Sequence, residues 1–416
     1  MSEATTSADL SQTATTLQDK DNITLFQSYG RMTDDHSEDW MIRVTGWLYR
    51  TAGMGMRSQF LLNLSQRLIS PSSLDCEAST SLFCDRTSPF FAQPLRNTPV
   101  CLVVLGIAKP SVGTSSTVLN PPDELMTDED IMALDEKALQ EHTGTYIGEE
   151  IVTDSSGRFC CLMRVPKSAV DRMMAAQLES NPSIQRQPWT RLLLMAYLPN
   201  RCLKIRDMAV ITLIPSTGIT VISDIDDTIK DSSVFLGKRL AAKVAFLEDG
   251  KEVKGMSDCY NLLSAKGVAI HYLSAGPFQL YSPISAFLKT FSFPQGSVTL
   301  RNVREVLSTR AYKNTELVRI LKDFPNHKFI LIGDSGEKDI DIYYEIDKTQ
   351  SEKIIKMFIR NVTEDASKIP DLLKRVDNLY GHQHDRKRWT FFNNSVEIIT
   401  DEVTMDAIMK LRSTCT

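Results

Sequence analysis

The sequence predicts an α/β domain built on a parallel sheet, preceded by an all-β, sandwich-like region. Three observations carry this reading. From residue 219 onward, short apolar runs alternate with helical periods, which implies right-handed crossovers and a sheet covered on both faces. Two of those runs, 219–223 and 328–332, end abruptly in acids: Ser223-Asp224-Ile225-Asp226-Asp227-Thr228, and Gly333-Asp334-Ser335-Gly336-Glu337-Lys338-Asp339. The first half instead reads as alternating β runs divided by turn residues.

In chain order, residues 1–20 are rich in Ser, Thr, Ala and Asp and are expected to be disordered. Strands are expected over 23–29, 41–49, 100–107, 146–153, 159–165 and 192–198. Thr153-Asp154-Ser155-Ser156-Gly157 is a hairpin signal between two alternating runs. Together these strands make a β-sandwich-like domain over 21–215, with Gly46-Trp47 packing inside a strand. Long insertions interrupt it. Residues 59–69 have helical spacing and 70–99 read as a long loop. Residues 110–141 begin as a Ser/Pro-rich linker and turn acidic, with 128–140 helical.

The boundary falls at Pro215-Ser216-Thr217-Gly218. The second domain, 216–416, follows as strand 219–223, helices 238–248 and 257–266, strand 268–273, helix 279–290 and strand 298–300. Helix 313–322, strand 328–332, helix 337–346 and strand 353–359 complete the alternation. Residues 389–399 and 403–411 add a strand and a closing helix. No internal repeat or heptad seam is found.

At 416 residues the chain exceeds one ordinary core. An apolar share of 42% beside 24% charged residues describes a globular protein, and a net charge of −5 argues against a nucleic-acid binder. Eight cysteines lie scattered without a Cys-x-x-Cys pair, and the adjacent Cys160-Cys161 cannot both face a core. They read as packing residues of a reducing compartment. No signal peptide opens the chain. No apolar run reaches the length of about 18 residues that a transmembrane helix needs.

Acids crowded at one strand tip repel one another and raise one another's pKa. A metal cation resolves the repulsion, and a carboxylate held protonated can donate a proton. The local alternative is a strand leading to a helix capped by Asp227 or Thr228. Two acid-tipped strands belong at the carboxyl edge of one parallel sheet, where open sheets bind ligands. Ser274 reads as either an anion contact or a helix cap, and Lys313 as a site cation or a surface lysine. Arg301 reads as a phosphate contact or a partner of Glu305. Arg360 faces either site or solvent, His271 is a satisfied core histidine, and His382-x-His384-Asp385 is a surface loop. Residues 236–247 place Lys238, Arg239 and Lys243 opposite Leu236, Leu240, Val244 and Leu247, as a core-packed helix or a lipid-docking one does. Asp385-Arg386-Lys387-Arg388-Trp389 could dock on anionic lipid in the same way.

Asp224-x-Asp226-x-Thr228 after a strand, then a strand ending in Ser274, then Lys313, then Gly333-Asp334-Ser335-Gly336-x-x-Asp339, resembles the four ordered motifs of the haloacid dehalogenase-like phosphatases. The wording around them, Leu273-Ser274-Ala275-Gly276-Pro277 and Phe293-Pro294-x-Gly296 with Leu300-Arg301, is similar to the actin-patch-associated phosphatidate phosphatase family. The resemblance spans most of 216–362 closely and, more loosely, the N-terminal half. It implies a Rossmann-like, capless haloacid dehalogenase-like domain and magnesium-dependent hydrolysis of phosphatidate to diacylglycerol and phosphate. Asp224 would be the nucleophile and Asp226 the general acid and base, with Thr228, Ser274 and Lys313 also catalytic. Mg2+ would be held by Asp224, Asp226 through its backbone carbonyl, and Asp334, with Asp339 behind them and Glu337 as the alternative. The gaps 229–268 and 275–312 have no room for a lid domain, so the substrate is expected to be large. The implied partners are phosphatidate in membranes, met peripherally, and cytoskeletal or endocytic proteins. The implied location is cytoplasmic, peripheral to membranes and at cortical actin patches. No Pro-rich, SH3-binding run precedes Thr416, so recruitment by that route is not expected. Two other readings stay open: a capless phosphatase of protein or nucleic-acid phosphate, and a catalytically inactive lipid- or protein-binding adaptor.

Overall fold

A computed structural model describes residues 20–33, 38–51, 77–108, 148–180, 189–199, 204–248, 250–302, 308–381 and 386–414. The first half contains β1 (Asp21–Leu25), β2 (Ser28–Met32), β3 (Trp40–Arg50), α1 (Glu77–Phe91), β4 (Gln93–Pro94) and β5 (Pro99–Ile107). β6 (Gly148–Val152), β7 (Arg158–Val165), α2 (Lys167–Ser180), β8 (Thr190–Tyr197) and β9 (Arg206–Ile214) follow. All nine strands join one hydrogen-bonded sheet in the order β1-β3-β2-β9-β8-β5-β6, with β4 and β7 on β3. Alternation along each strand sends one side inward. Ile42 and Val44 of β3, Leu102 and Val104 of β5, Met163 of β7 and Leu192 and Leu194 of β8 thus share a single core cluster. Gly46 is required inside β3, because a Cβ there would strike the Phe159 ring.

Three expectations need correction. Residues 23–29 are not one strand. The chain breaks at Phe26-Gln27, where Phe26 stacks on Tyr281 at 4.5 Å and the Gln27 N–H donates to the Tyr281 hydroxyl at 2.8 Å. The expected loop 70–99 contains α1, a helix poor in apolar periodicity that Phe83 and Phe90 fasten against Phe246. Residues 389–399 leave the strand after Phe392, because the Asn394 carboxamide accepts the Val396 N–H and Glu397 accepts those of Asn393 and Asn394, starting a helix. No expectation covered α2 or β9. The calls on 59–69 and 128–140, the disorder call apart from Lys20, and the 382–385 loop lie outside the described residues.

The second half comprises β10 (Thr217–Ser223), β11 (Lys230–Asp231), α3 (Lys238–Leu247), β12 (Lys251–Glu252), α4 (Met256–Ala265) and β13 (Val268–Pro277). α5 (Tyr281–Thr290), β14 (Ser297–Arg301), α6 (Thr309–Asp323), β15 (Asn326–Asp334), α7 (Asp339–Gln350) and β16 (Ile354–Arg360) continue it. α8 (Ile369–Tyr380), β17 (Trp389–Phe392), α9 (Val396–Ile399) and α10 (Glu402–Thr414) close the chain. Six strands form a wholly parallel sheet, β14-β13-β10-β15-β16-β17, as the βαβ alternation requires. Its register fixes the site: Ser223 of β10 lies opposite Ile332 of β15, so Asp224 and Gly333 leave the sheet side by side.

The two halves are packed together. Phe26 and Trp47 enter the core cluster on one face of the parallel sheet, and Tyr29, Trp189 and Ile214 the cluster on the other. The Val298 N–H donates to the Gln27 carbonyl at 3.0 Å, joining β14 to the first half.

Candidate active site

Each acid is set by local backbone bonding. Asp224 follows β10 directly and is 4% exposed. Its N–H donates to the Ile332 carbonyl at 2.8 Å, and Thr228 Oγ1 donates to its Oδ2 at 3.3 Å. Asp334 ends β15 fully buried, and its Oδ1 accepts the N–H groups of Gly336 (2.6 Å) and Glu337 (2.9 Å). Asp339 begins α7, and its Oδ2 accepts the Asp334 N–H at 3.3 Å. Gly333 is obligatory between them, since a Cβ would strike the Asp339 carboxylate.

Lys313 reaches this group from α6 and is 2% exposed. Its Nζ lies 2.7 Å from Asp224 Oδ1, 2.7 Å from Asp339 Oδ1 and 3.2 Å from Glu337 Oε2. Burial works against its charge, but Asp224, Asp339 and Glu337 outweigh it and hold the ammonium well above the ordinary lysine range. The acids feel the opposite strain. Burial raises Asp224 well above the usual carboxylate range, and Asp339, Glu337 and Asp334 push it further against the pull of Lys313. Burial and the neighbouring Asp339 push Asp334 up to about 8. Glu337 is raised as well, chiefly by burial.

The residues present fit a hard cation. Asp224, Asp334 and Asp339 offer carboxylate oxygens within 4.8 Å of one another, and Asp334 Oδ2 is buried with no hydrogen-bond partner. A buried acceptor left unmatched in a carboxylate cluster marks where a cation is missing from the charge balance. Asp339 Oδ1 also accepts from Lys313 and its Oδ2 from the Asp334 amide, so it holds Lys313 in place beside the other two acids.

Asp226 stands apart from this cluster. Its Oδ1 accepts from Ser232 Oγ at 2.6 Å and its Oδ2 from Ser274 Oγ at 3.0 Å. The side chain is thus turned toward β13, and Ser274 also accepts the Gly276 N–H at 3.0 Å. Sequence reasoning missed Ser232, which no motif spacing marks. Asp227 is a loop organiser: at φ 55 its carboxylate accepts the N–H groups of Ser232, Ser233 and Phe235. Arg360 faces neither solvent nor the acids; it donates to the Asp227 carbonyl at 2.8 Å and pairs with Glu364. Arg301 Nη1 lies 3.4 Å from Thr309 Oγ1. His271 is buried, bonded to Ser297 at 2.6 Å, and driven down to about 3 by burial. Trp389 is buried and Arg388 is paired with Asp347, while Lys387 is exposed.

Fold and site together define an α/β domain whose parallel-sheet edge gathers buried carboxylates around a buried lysine. Residues 219–361 match the family model described as the catalytic domain of phosphatidate phosphatase APP1. The chain is similar to phosphatidate phosphatase APP1 of Saccharomyces cerevisiae, 30% identical over 175 residues, covering 39% of this chain and 30% of that protein. It is also similar to a Schizosaccharomyces pombe protein described as uncharacterized, 31% identical over 166 residues, covering 38% of this chain and 27% of that one. The match thus spans under a third of either relative's length. A solved class C acid phosphatase from Bacillus anthracis with tungstate bound is 19% identical, covering 33% of this chain and 65% of its own, at a TM-score of 0.23. So low a score lends no weight, and the fold rests on the strand order above.

Proposed function

We propose that this chain is a magnesium-dependent phosphatidate phosphatase, releasing diacylglycerol and phosphate through an aspartyl-phosphate. The observation that carries the reading is the in-register exit of β10 and β15. It brings Asp224 beside Asp334, whose Oδ2 has no hydrogen-bond partner, within the stretch that matches the phosphatidate phosphatase family.

In this reading the Asp224 carboxylate attacks phosphorus while the bond from phosphorus to the diacylglycerol oxygen breaks. Asp226 gives that oxygen its proton. Asp226 then takes a proton from water as the water oxygen attacks phosphorus, and cleavage of the acyl-phosphate restores Asp224. The two hydroxyl contacts that hold Asp226 outside the acid cluster support this role, because a proton carrier must be positioned independently of the nucleophile. Lys313, with Ser274, would offset charge on the phosphoryl oxygens, and Thr228 steadies the nucleophile. Asp224 and Asp334, with the Asp226 backbone carbonyl, would hold Mg2+. When bound, the ion neutralises the acids and the phosphate so that two anions can meet.

Among the described residues, the connection from β10 to β13 holds the small β11-β12 pair and two helices, and that from β13 to β15 two helices and β14, with no separate lid domain, which supports a bulky substrate such as a membrane lipid. No helix among the described residues is long and apolar enough to cross a membrane, so contact would be peripheral. The yeast relative's name supports phosphatidate as substrate. A cytoplasmic, cortical actin-patch location with endocytic partners belongs to the same reading, as does division into a β-rich unit (21–215) and a catalytic unit (216–416). Phosphate release from phosphatidate vesicles, with and without magnesium and beside a phosphopeptide, is the test. Release from the lipid only with magnesium is expected; release confined to the phosphopeptide contradicts it.

A further inference from the structure

We infer that the short helical turn Val234–Leu236 is a lipid-inserting tip, whose occupant is the headgroup and outer acyl layer of a phosphatidate-bearing bilayer. The inference rests on the phosphatidate reading and deepens it by assigning the surface that meets the membrane.

The loop leaving the site is stapled from below. Asp227 accepts the N–H groups of Ser232 (3.0 Å), Ser233 (2.7 Å) and Phe235 (3.1 Å), while Arg360 holds the Asp227 carbonyl at 2.8 Å. At its crest Phe235 is 37% and Leu236 60% exposed, the latter the most exposed large hydrophobic side chain among the described residues. The tip adjoins the acid pocket. Phe235 Cβ lies 2.6 Å from where a Cβ on Gly336 would stand, and the Gly336 N–H donates to Asp334 Oδ1.

A loop fastened by these four hydrogen bonds yet holding leucine outward is matched to an apolar partner rather than to water. That partner must come to the rim of the pocket. The phosphate of a membrane lipid lies at the bilayer surface with its acyl chains beneath. For phosphorus to reach Asp224, the rim must therefore descend to headgroup level, and apolar side chains on it enter the acyl boundary. Asp231 and Glu364 are exposed on this side of the domain and α3 opens with Lys238 and Arg239, so acids and bases offset and net attraction by charge is small. Insertion is apolar, and its salt dependence is accordingly weak.

The experiment compares the full chain with Leu236→Glu and Leu236→Trp on phosphatidylcholine vesicles carrying phosphatidate, and on a short-chain phosphatidate dispersed as monomers. Leu236→Glu is expected to lower vesicle sedimentation and vesicle hydrolysis about tenfold. Hydrolysis of the monomer and the unfolding temperature should stay unchanged, Leu236→Trp should retain vesicle binding, and added salt should change binding little. Equal losses on vesicle and monomer, no loss on vesicles, or an equal loss on a phosphopeptide overturns the assignment. If the unaltered chain hydrolyses neither form of phosphatidate, the substrate reading fails by itself. Sedimentation with phosphatidylcholine–phosphatidylserine vesicles then still decides the tip: weaker binding of Leu236→Glu supports it, and equal binding overturns it.

Discussion

Helix α6 carries a charged cluster toward each end, half-buried at the C-terminal end and buried at the other, and the two are built on opposite principles. At its C-terminal end Asp323 receives the Tyr29 hydroxyl and stands 3.5 Å from Arg31, 3.7 Å from Arg43 and 3.4 Å from Arg319. Arg319 also binds Glu316 at 2.5 Å and donates to the Tyr29 hydroxyl at 2.6 Å. Burial, opposed by Arg319, pushes the Tyr29 phenol up to about 12, so it remains a donor. In that cluster each acid has its cation, and the bonds tie β2 and β3 to α6. Near the other end Lys313 alone faces Asp224, Asp339 and Glu337, while Asp334 keeps an oxygen without a partner. The first cluster pairs its acids with cations and ties the two halves together. The second carries surplus acid that protons or a bound cation must offset, and the contrast separates a joint from a reaction site.

The comparison is broken most severely at the nucleophile. Asp224→Asn should lower phosphate release roughly ten-thousandfold and yet raise the unfolding temperature in chelator, because it removes one of the repelling acids. Asp226→Ala should cost about a hundredfold or more on phosphatidate. The loss should be smaller on an aryl phosphate, whose leaving group needs no proton, and paired rate measurements on the two esters check this. The joint responds inversely. Asp323→Asn removes the acid shared by Arg31, Arg43 and Arg319 and should cost about 1–3 kcal/mol in denaturant titrations, with turnover per folded molecule preserved.

The smallest effect is a pH dependence. Asp334 has its folded pKa at about 8, above the ordinary 3.8 of the unfolded chain. The folded state therefore binds more protons between those values, and stability from this group is full below about pH 4 and is lost as pH rises through about 8. Melting curves in chelator should fall across that window. Asp334→Asn should flatten that decline, and magnesium should flatten it in the unaltered chain.

Much of the site could be read from sequence because its signals are local. An apolar run that ends in Asp-x-Asp or Gly-Asp states both the strand and where it stops, and the parallel pattern then puts the two tips at one edge. What could not be read depends on distant partners. Asp226 faces Ser232 and Ser274 instead of the other acids, and Arg360 is drawn to a loop carbonyl, through bonds that no spacing encodes. Helix α1, with Pro89 inside it, is held from outside: Arg86 donates to the carbonyls of Ala245 and Glu248 at the end of α3. The break between β1 and β2 likewise follows from Tyr281, some 250 residues downstream, accepting the Gln27 N–H.

The shared cation is tested most directly by magnesium calorimetry on the full chain and on Asp334→Asn. The account predicts a single saturable site in the unaltered chain and none in the variant. Equal binding by both would contradict it.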